Sequence, residues 1–94
     1  MREMHQFYIG GQWVDPESPN PLDVINPATE KPCGSISQGS HKDVDKAVAA
    51  AKDAAASFAI SPREKRLDLL QAILDGLVQR SDEIAATITE EMGA

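Results

Sequence analysis

The sequence predicts an α+β fold in which an N-terminal hairpin and short strands come first and two or three amphipathic helices follow. Three observations carry that expectation: a glycine pair between two apolar runs near the start, prolines crowded between residues 15 and 40, and apolar residues at helical spacing from residue 40 onward. Strand and helix are expected to be segregated along the chain.

The hairpin is the first element. Phe7-Tyr8-Ile9 and Gln12-Trp13-Val14 flank Gly10-Gly11, and only glycine takes the positive φ angles of tight I′ or II′ turns without steric penalty. A two-stranded ribbon is marginal in water, so it needs a surface to lie on. Pro16, Pro19, Pro21, Pro27 and Pro32 then exclude helix from the next stretch. Between them, Leu22-Asp23-Val24-Ile25 predicts a strand near 22–26, Asn26-Pro27-Ala28-Thr29 a turn, and Ser35-Ile36 a second short strand near 33–37.

After Gly39 the pattern becomes helical. Ser40 is placed to cap, Asp43 to complete a capping box, and Val44, Ala47, Val48, Ala51, Ala55 and Phe58 follow as a stripe. That alanine-rich face permits close approach to a partner but buries little area per residue. A second helix is expected to open at Ser61-Pro62-Arg63-Glu64, with Ser61 as N-cap, proline at the first helical position and Glu64 closing a capping box. Leu67, Leu70, Ile73, Leu74, Leu77 and Val78 give it a broad apolar face, in which Gly76 costs about 1 kcal/mol relative to alanine. Arg80-Ser81-Asp82-Glu83 marks a kink or restart, Ile84, Ile88 and Met92 stripe a third segment, and Gly93 is its C-terminal stop. These elements offer more one-sided apolar faces than they can cover among themselves.

Composition narrows the partners. A chain of 94 residues fits one small domain, which buries only about 60 to 70% of its unfolded surface. With 41% hydrophobic and 4% aromatic residues, its core must come from Ala, Ile, Leu and Val. A net charge of −6 repels nucleic acid and anionic lipid head groups, so neither is an expected partner. Cys33 is alone and cannot form an internal disulfide, no apolar run approaches a membrane span, and there is no signal-peptide core. A cytoplasmic setting is the default expectation. No repeat, low-complexity tract or linker interrupts the chain.

In order, the segments "FYIGGQWV", "VINPATEKPCGSI", "KDVDKAVAAAKDAAASFA" and "SPREKRLDLLQAILDGLVQRSDEIAATITEEMGA" resemble the amino-terminal segment of the NAD(P)-dependent aldehyde dehydrogenase superfamily. Each motif alone is weak; the ordered series spans nearly the whole chain. The resemblance implies that residues 1–94 are an incomplete part of a Rossmann-like α/β cofactor domain, with the helices beside the nucleotide-binding sheet and the hairpin in a peripheral sheet. It further implies an oxidoreductase, a homodimer or homotetramer, that converts an aldehyde to a carboxylic acid with NAD or NADP. The steps implied are thiohemiacetal formation, hydride transfer and thioester hydrolysis.

By the same resemblance, the catalytic cysteine, glutamate and asparagine and the lysine and glycine-rich elements that hold the dinucleotide lie beyond Ala94. No position of the chain matches a catalytic or cofactor-binding residue of the family. The segment is expected to be structural, to be inactive alone and to bind no cofactor alone. Several family members hold a structural monovalent cation, and its ligands match the backbone carbonyls of Val24 and Ile25 and the side chain of Glu91.

Individual residues have plainer readings. Cys33 has no nearby histidine in sequence and reads as an ordinary free cysteine. His5, in an N-terminus expected to fray, and His41, at a helix start, read as solvated. Asp43, Asp45 and Asp53 read as a solvent-facing helix surface, with Asp43 also favoured at the positive helix end. Gly10-Gly11 belongs to no G-x-G-x-x-G or G-x-x-x-x-G-K-[ST] pattern and reads as a turn. An alternative of another class is a stand-alone helical module that self-associates or captures a partner through Leu67, Leu70, Leu74 and Leu77. A small acidic helical binder unrelated to dehydrogenases would require the ordered series of segments to be accidental.

Overall fold

Gly10 and Gly11 take φ of 61° and 80°, which defines a type I′ turn between β2 (Phe7–Ile9) and β3 (Gln12–Val14). The computed structural model describes all 94 residues and adds β1 (Arg2–Met4), β4 (Pro21–Asn26), β5 (Lys31–Ser37), α1 (His41–Ala59), α2 (Arg63–Gln79) and α3 (Ser81–Met92). Across the hairpin, Tyr8 faces Trp13 with ring centroids 5.1 Å apart in an edge-on arrangement. The ribbon rests on α1 through β2, and a Cβ on Gly10 would lie 3.8 Å from that of Ala50. Small residues on the helix are what bring the turn that close.

The other sheet has the order β1-β5-β4. β4 runs antiparallel to β5, with Val24 opposite Gly34 and Ile25 opposite Pro32, so Cys33 is the extra residue of a bulge. The expected turn joins them: the Asn26 side chain accepts the Ala28 N–H at 2.8 Å, and the Glu30 N–H donates to the Asn26 carbonyl at 2.8 Å.

β1 departs from expectation. Residues 2–4 do not fray but pair in parallel with β5, Arg2 facing Gly34 and Met4 facing Ile36. A three-residue strand carries no readable alternation, and its partner lies thirty residues away. His5 is correspondingly half-buried rather than solvated: Nε2 lies 2.9 Å from Ser35 Oγ, and its carbonyl accepts the Ser37 hydroxyl at 2.6 Å. A Cβ on Gly34 would sit 3.2 Å from the Arg2 carbonyl oxygen, so glycine is what admits β1.

The α1 capping box forms as predicted. The Asp43 N–H donates to Ser40 Oγ at 3.3 Å, and the Ser40 N–H donates to Asp43 Oδ2 at 2.9 Å. Asp43 is not on a solvent-facing surface, however; it is 5% exposed, because Oδ1 also accepts the Glu17 N–H at 2.9 Å and ties down the proline-rich loop.

The start of α2 also differs from expectation. The helix begins at Arg63 behind Pro62, with no side-chain cap, and Ser61 instead donates its hydroxyl back to the Phe58 carbonyl at 2.6 Å. The connection is so short that Ser61 satisfies the end of α1 rather than the start of α2. Arg80 alone separates α2 from α3, its guanidinium gripping Glu83 through bonds of 3.0 and 2.7 Å. Gly93 ends α3 at φ 77°, with its N–H on the Thr89 carbonyl at 2.9 Å.

Packing is where this chain is unusual. Only 3 of 94 residues are buried and none of them is hydrophobic. The accessible surface is 7599 Å², against about 5,300 Å² expected for a folded monomer of this mass. The radius of gyration is 16.9 Å, where a compact chain of this length has about 12 Å. α3 leans on β4 and α2 on α3, but neither α1 nor α2 packs on the three-stranded sheet.

Candidate functional site

The densest group of charged and reactive side chains lies where β1, the bulge of β5 and the last turns of α3 meet. Parallel pairing with β5 carries Arg2 across the sheet, where Nη1 donates to Thr87 Oγ1 at 2.8 Å and Nη2 to Glu90 Oε2 at 2.9 Å. Nη2 also lies 3.8 Å from Glu91 Oε1. The Thr87 hydroxyl donates to the Glu83 carbonyl one turn back, at 3.0 Å. The helical spacing of 83, 87, 90 and 91 puts all four acceptors on the face turned to the sheet.

Cys33, half-buried in the bulge, is part of this group. Burial pushes its thiol pKa up, the charge and hydrogen bond of Glu90 push it further, Glu91 adds to them, and Arg2 opposes. Carboxylates beside a thiol hold it protonated at neutral pH, the reverse of the cationic surroundings that activate a nucleophile. No group of three His, Cys, Asp or Glu side chains gathers anywhere in metal-binding geometry.

Of the residues matched to a cation site, Val24 and Glu91 line one depression of about 230 Å³ with Arg2, Gly34, Glu83 and Thr87, and Ile25 follows Val24 in β4. Sequence reasoning singled out Glu91 but missed Arg2, Thr87 and Glu90. A signal was available: α3 has no basic residue in its last turn, and Arg2 is the only lysine or arginine among the first thirty residues.

A second polar cluster closes the N-terminus of α1. Ser40 Oγ donates to Glu17 Oε2 at 2.7 Å, and Lys42 Nζ lies 3.3 Å from the other oxygen of Glu17. The Ser40 backbone N–H, with help from that of Glu17, holds the Asp43 carboxyl below the usual carboxylate range. Elsewhere on α1, His41, Asp45 and Asp53 face solvent.

The remaining feature is apolar. Leu67, Leu70, Leu74 and Leu77 are all exposed, Leu70 by 63%, and Trp13 of the hairpin by 60%. Single exposed apolar residues are ordinary, but a continuous stripe along a helix is an interaction surface.

Known proteins account for this combination. The family model described as the aldehyde dehydrogenase family matches residues 13–94. A 3-succinoylsemialdehyde-pyridine dehydrogenase from a Pseudomonas species is 47% identical over 94 residues, which is all of this chain and 20% of that protein. The crystal structure of an aldehyde dehydrogenase from Bartonella henselae superposes with a TM-score of 0.98 at 44% identity, again over 100% of this chain and 20% of the other. A mutant aldehyde dehydrogenase C from Pseudomonas syringae, solved with NAD+ and octanal, gives a TM-score of 0.93 at 41% identity over 96% of this chain and 19% of its own. The chain thus spans about 20% of the length of these relatives and reproduces the fold of the amino-terminal part of structures that have a Rossmann-like NAD-binding domain. A hairpin, strands and helices that leave their apolar faces open are therefore a shared piece of a larger architecture, and the chain belongs to the aldehyde dehydrogenase family.

Proposed function

We propose that residues 1–94 are the structural lead-in to the cofactor-binding domain of an enzyme that oxidises an aldehyde to a carboxylic acid with NAD or NADP. The segment itself carries no catalytic group. One observation supports this above all: the chain exposes roughly 2,300 Å² more than a folded monomer of its mass should, by the scaling of surface with mass, and buries no hydrophobic side chain. Such a surface is completed by more of the same domain.

We assign no residue of the segment to the dinucleotide. At the N-terminus of α1, where a pyrophosphate would seek free N–H groups, the capping box already pairs the Ser40 N–H with the Asp43 carboxylate and the Asp43 N–H with the Ser40 hydroxyl. In the complete enzyme other residues would therefore hold the cofactor. We assign the enzyme to the cytoplasm, as a homodimer or homotetramer. In support, its one thiol here is unpaired, and no helix is long and apolar enough to cross a membrane.

The test uses the complete protein, supplied with an aliphatic aldehyde and either nicotinamide dinucleotide, and follows the absorbance of the reduced cofactor. Aldehyde-dependent reduction with carboxylic acid as product is expected; no reduction with any aldehyde would sink the assignment. A second reading follows from the exposed Leu67, Leu70, Leu74 and Leu77 face, which suits a stand-alone helical module that self-associates. Sedimentation of the 94-residue chain separates the two. A discrete, cooperatively folded dimer would favour the module, and non-specific aggregation the lead-in.

A further inference from the structure

α3 ends with Glu90 and Glu91 in its last turn and no basic residue there, so two carboxylates stand at the negative end of the helix dipole. A positive charge beside them is stabilising. The resemblance would assign that task to a monovalent metal ion held by Val24, Ile25 and Glu91, and the site argues against it. The depression that Val24 and Glu91 share is also lined by Arg2, whose Nη2 lies 2.9 Å from Glu90 and 3.8 Å from Glu91. An ion bound there would sit beside a like charge that is covalently fixed. Thr87 Oγ1, another oxygen in that wall, already accepts from Arg2 and donates to the Glu83 carbonyl.

We propose that Arg2 is the built-in cation of this site, neutralising the carboxylate end of α3 in place of a bound alkali metal ion and fastening β1 across the sheet to that helix. A guanidinium suits the task because its planar fork makes two directed bonds, to Thr87 and Glu90, while keeping Glu91 in range. Gly34 makes the reach possible, since a side chain there would press on the Arg2 carbonyl at 3.2 Å. The N-terminal strand is thereby docked by a contact that does not depend on which salt surrounds the protein.

The experiment compares the complete protein with its Arg2→Met variant in potassium, sodium and tetramethylammonium chloride at equal ionic strength. Thermal midpoint and hydrogen exchange of the Gly34–Ile36 amides are read, so the result does not depend on catalysis. The unaltered protein is expected to show midpoints within about 1 °C of one another in the three salts. Arg2→Met is expected to lower the midpoint in all three and to speed exchange at residues 34–36. A midpoint several degrees higher in potassium or sodium than in tetramethylammonium would overturn the proposal by showing a bound metal ion. A variant indistinguishable from the parent in both readouts would overturn it equally.

Discussion

The first forty-odd residues and the rest of the chain are stabilised in opposite ways. From Arg2 to Asp43 the structure is closed by directional contacts: a β-ladder on each side of β5, the His5–Ser35 and Ser37–His5 bonds, and a carboxylate that caps α1 while holding the Glu17 loop. From Val44 onward the helices satisfy their own backbones, but their apolar stripes meet almost nothing. Hydrogen bonds saturate locally, whereas apolar area is stabilising only when a second surface removes it from water. The strand half is thus tied together by directed bonds even though Tyr8, Trp13, Leu22 and Ile25 stay exposed, whereas the helical half has few such ties and an open apolar stripe.

Truncating the stripe should expose that difference most strongly. Leu70→Ala and Leu74→Ala are each expected to cost about 2–5 kcal/mol in the complete protein, as buried leucines do. In the 94-residue chain, where both side chains are exposed, each should instead reduce aggregation. Urea unfolding of the complete protein and light scattering of the 94-residue chain measure this, and a negligible cost in the complete protein would erase the contrast.

Gly34→Ala probes the strand half. Its Cβ must displace the Arg2 carbonyl by a few tenths of an ångström, so β1 should loosen at a cost of about 1 kcal/mol in either form. Faster amide exchange at Met4 and Ile36, with α2 unaffected, is the expected signature.

Asp43 gives a smaller, pH-dependent effect. Its folded pKa is depressed, chiefly by the Ser40 N–H. Its contribution is therefore fully present above the unfolded value of about 3.9 and is lost as pH falls through the lower folded value. Asp43→Asn should remove that acid-side loss, and the Glu17 and Ser40 amide resonances should cease to titrate. If they still titrate in the variant, another group holds the loop.

Cys33→Ala should have the least effect, leaving turnover of the complete enzyme nearly unchanged. The parent thiol should also alkylate slowly at neutral pH, because burial and Glu90 hold it protonated. Rapid alkylation of Cys33 at that pH would contradict the geometry.

What the residues announced in advance was local. Gly10-Gly11, Ser40 with Asp43, and Gly93 each determine the backbone within a few positions, and all three behave as their chemistry requires. Ser61 carried an equally local signal, but Pro62 takes the N-cap position of α2 and the Ser61 hydroxyl donates back to the Phe58 carbonyl. The group around Arg2 was illegible because it depends on a parallel pairing of three residues with a strand far along the chain. Nothing in Arg2-Glu3-Met4 specifies that partner. The burial of His5 and Asp43 was hidden for the same reason, since both are covered by segments distant in sequence.

Sequence alone therefore determined the order and kind of the elements, their caps and turns, the surplus of apolar faces and, through the ordered motifs, the family. Each of these follows from neighbours a few residues apart or from a pattern read along one dimension. Only tertiary structure decided that residues 2–4 form a strand, that Arg2 stands at the end of α3, that Asp43 is buried, and that no hydrophobic side chain in the chain is fully buried. Those are facts about which distant surfaces meet, and a linear pattern states that a face is apolar without stating what will lie against it.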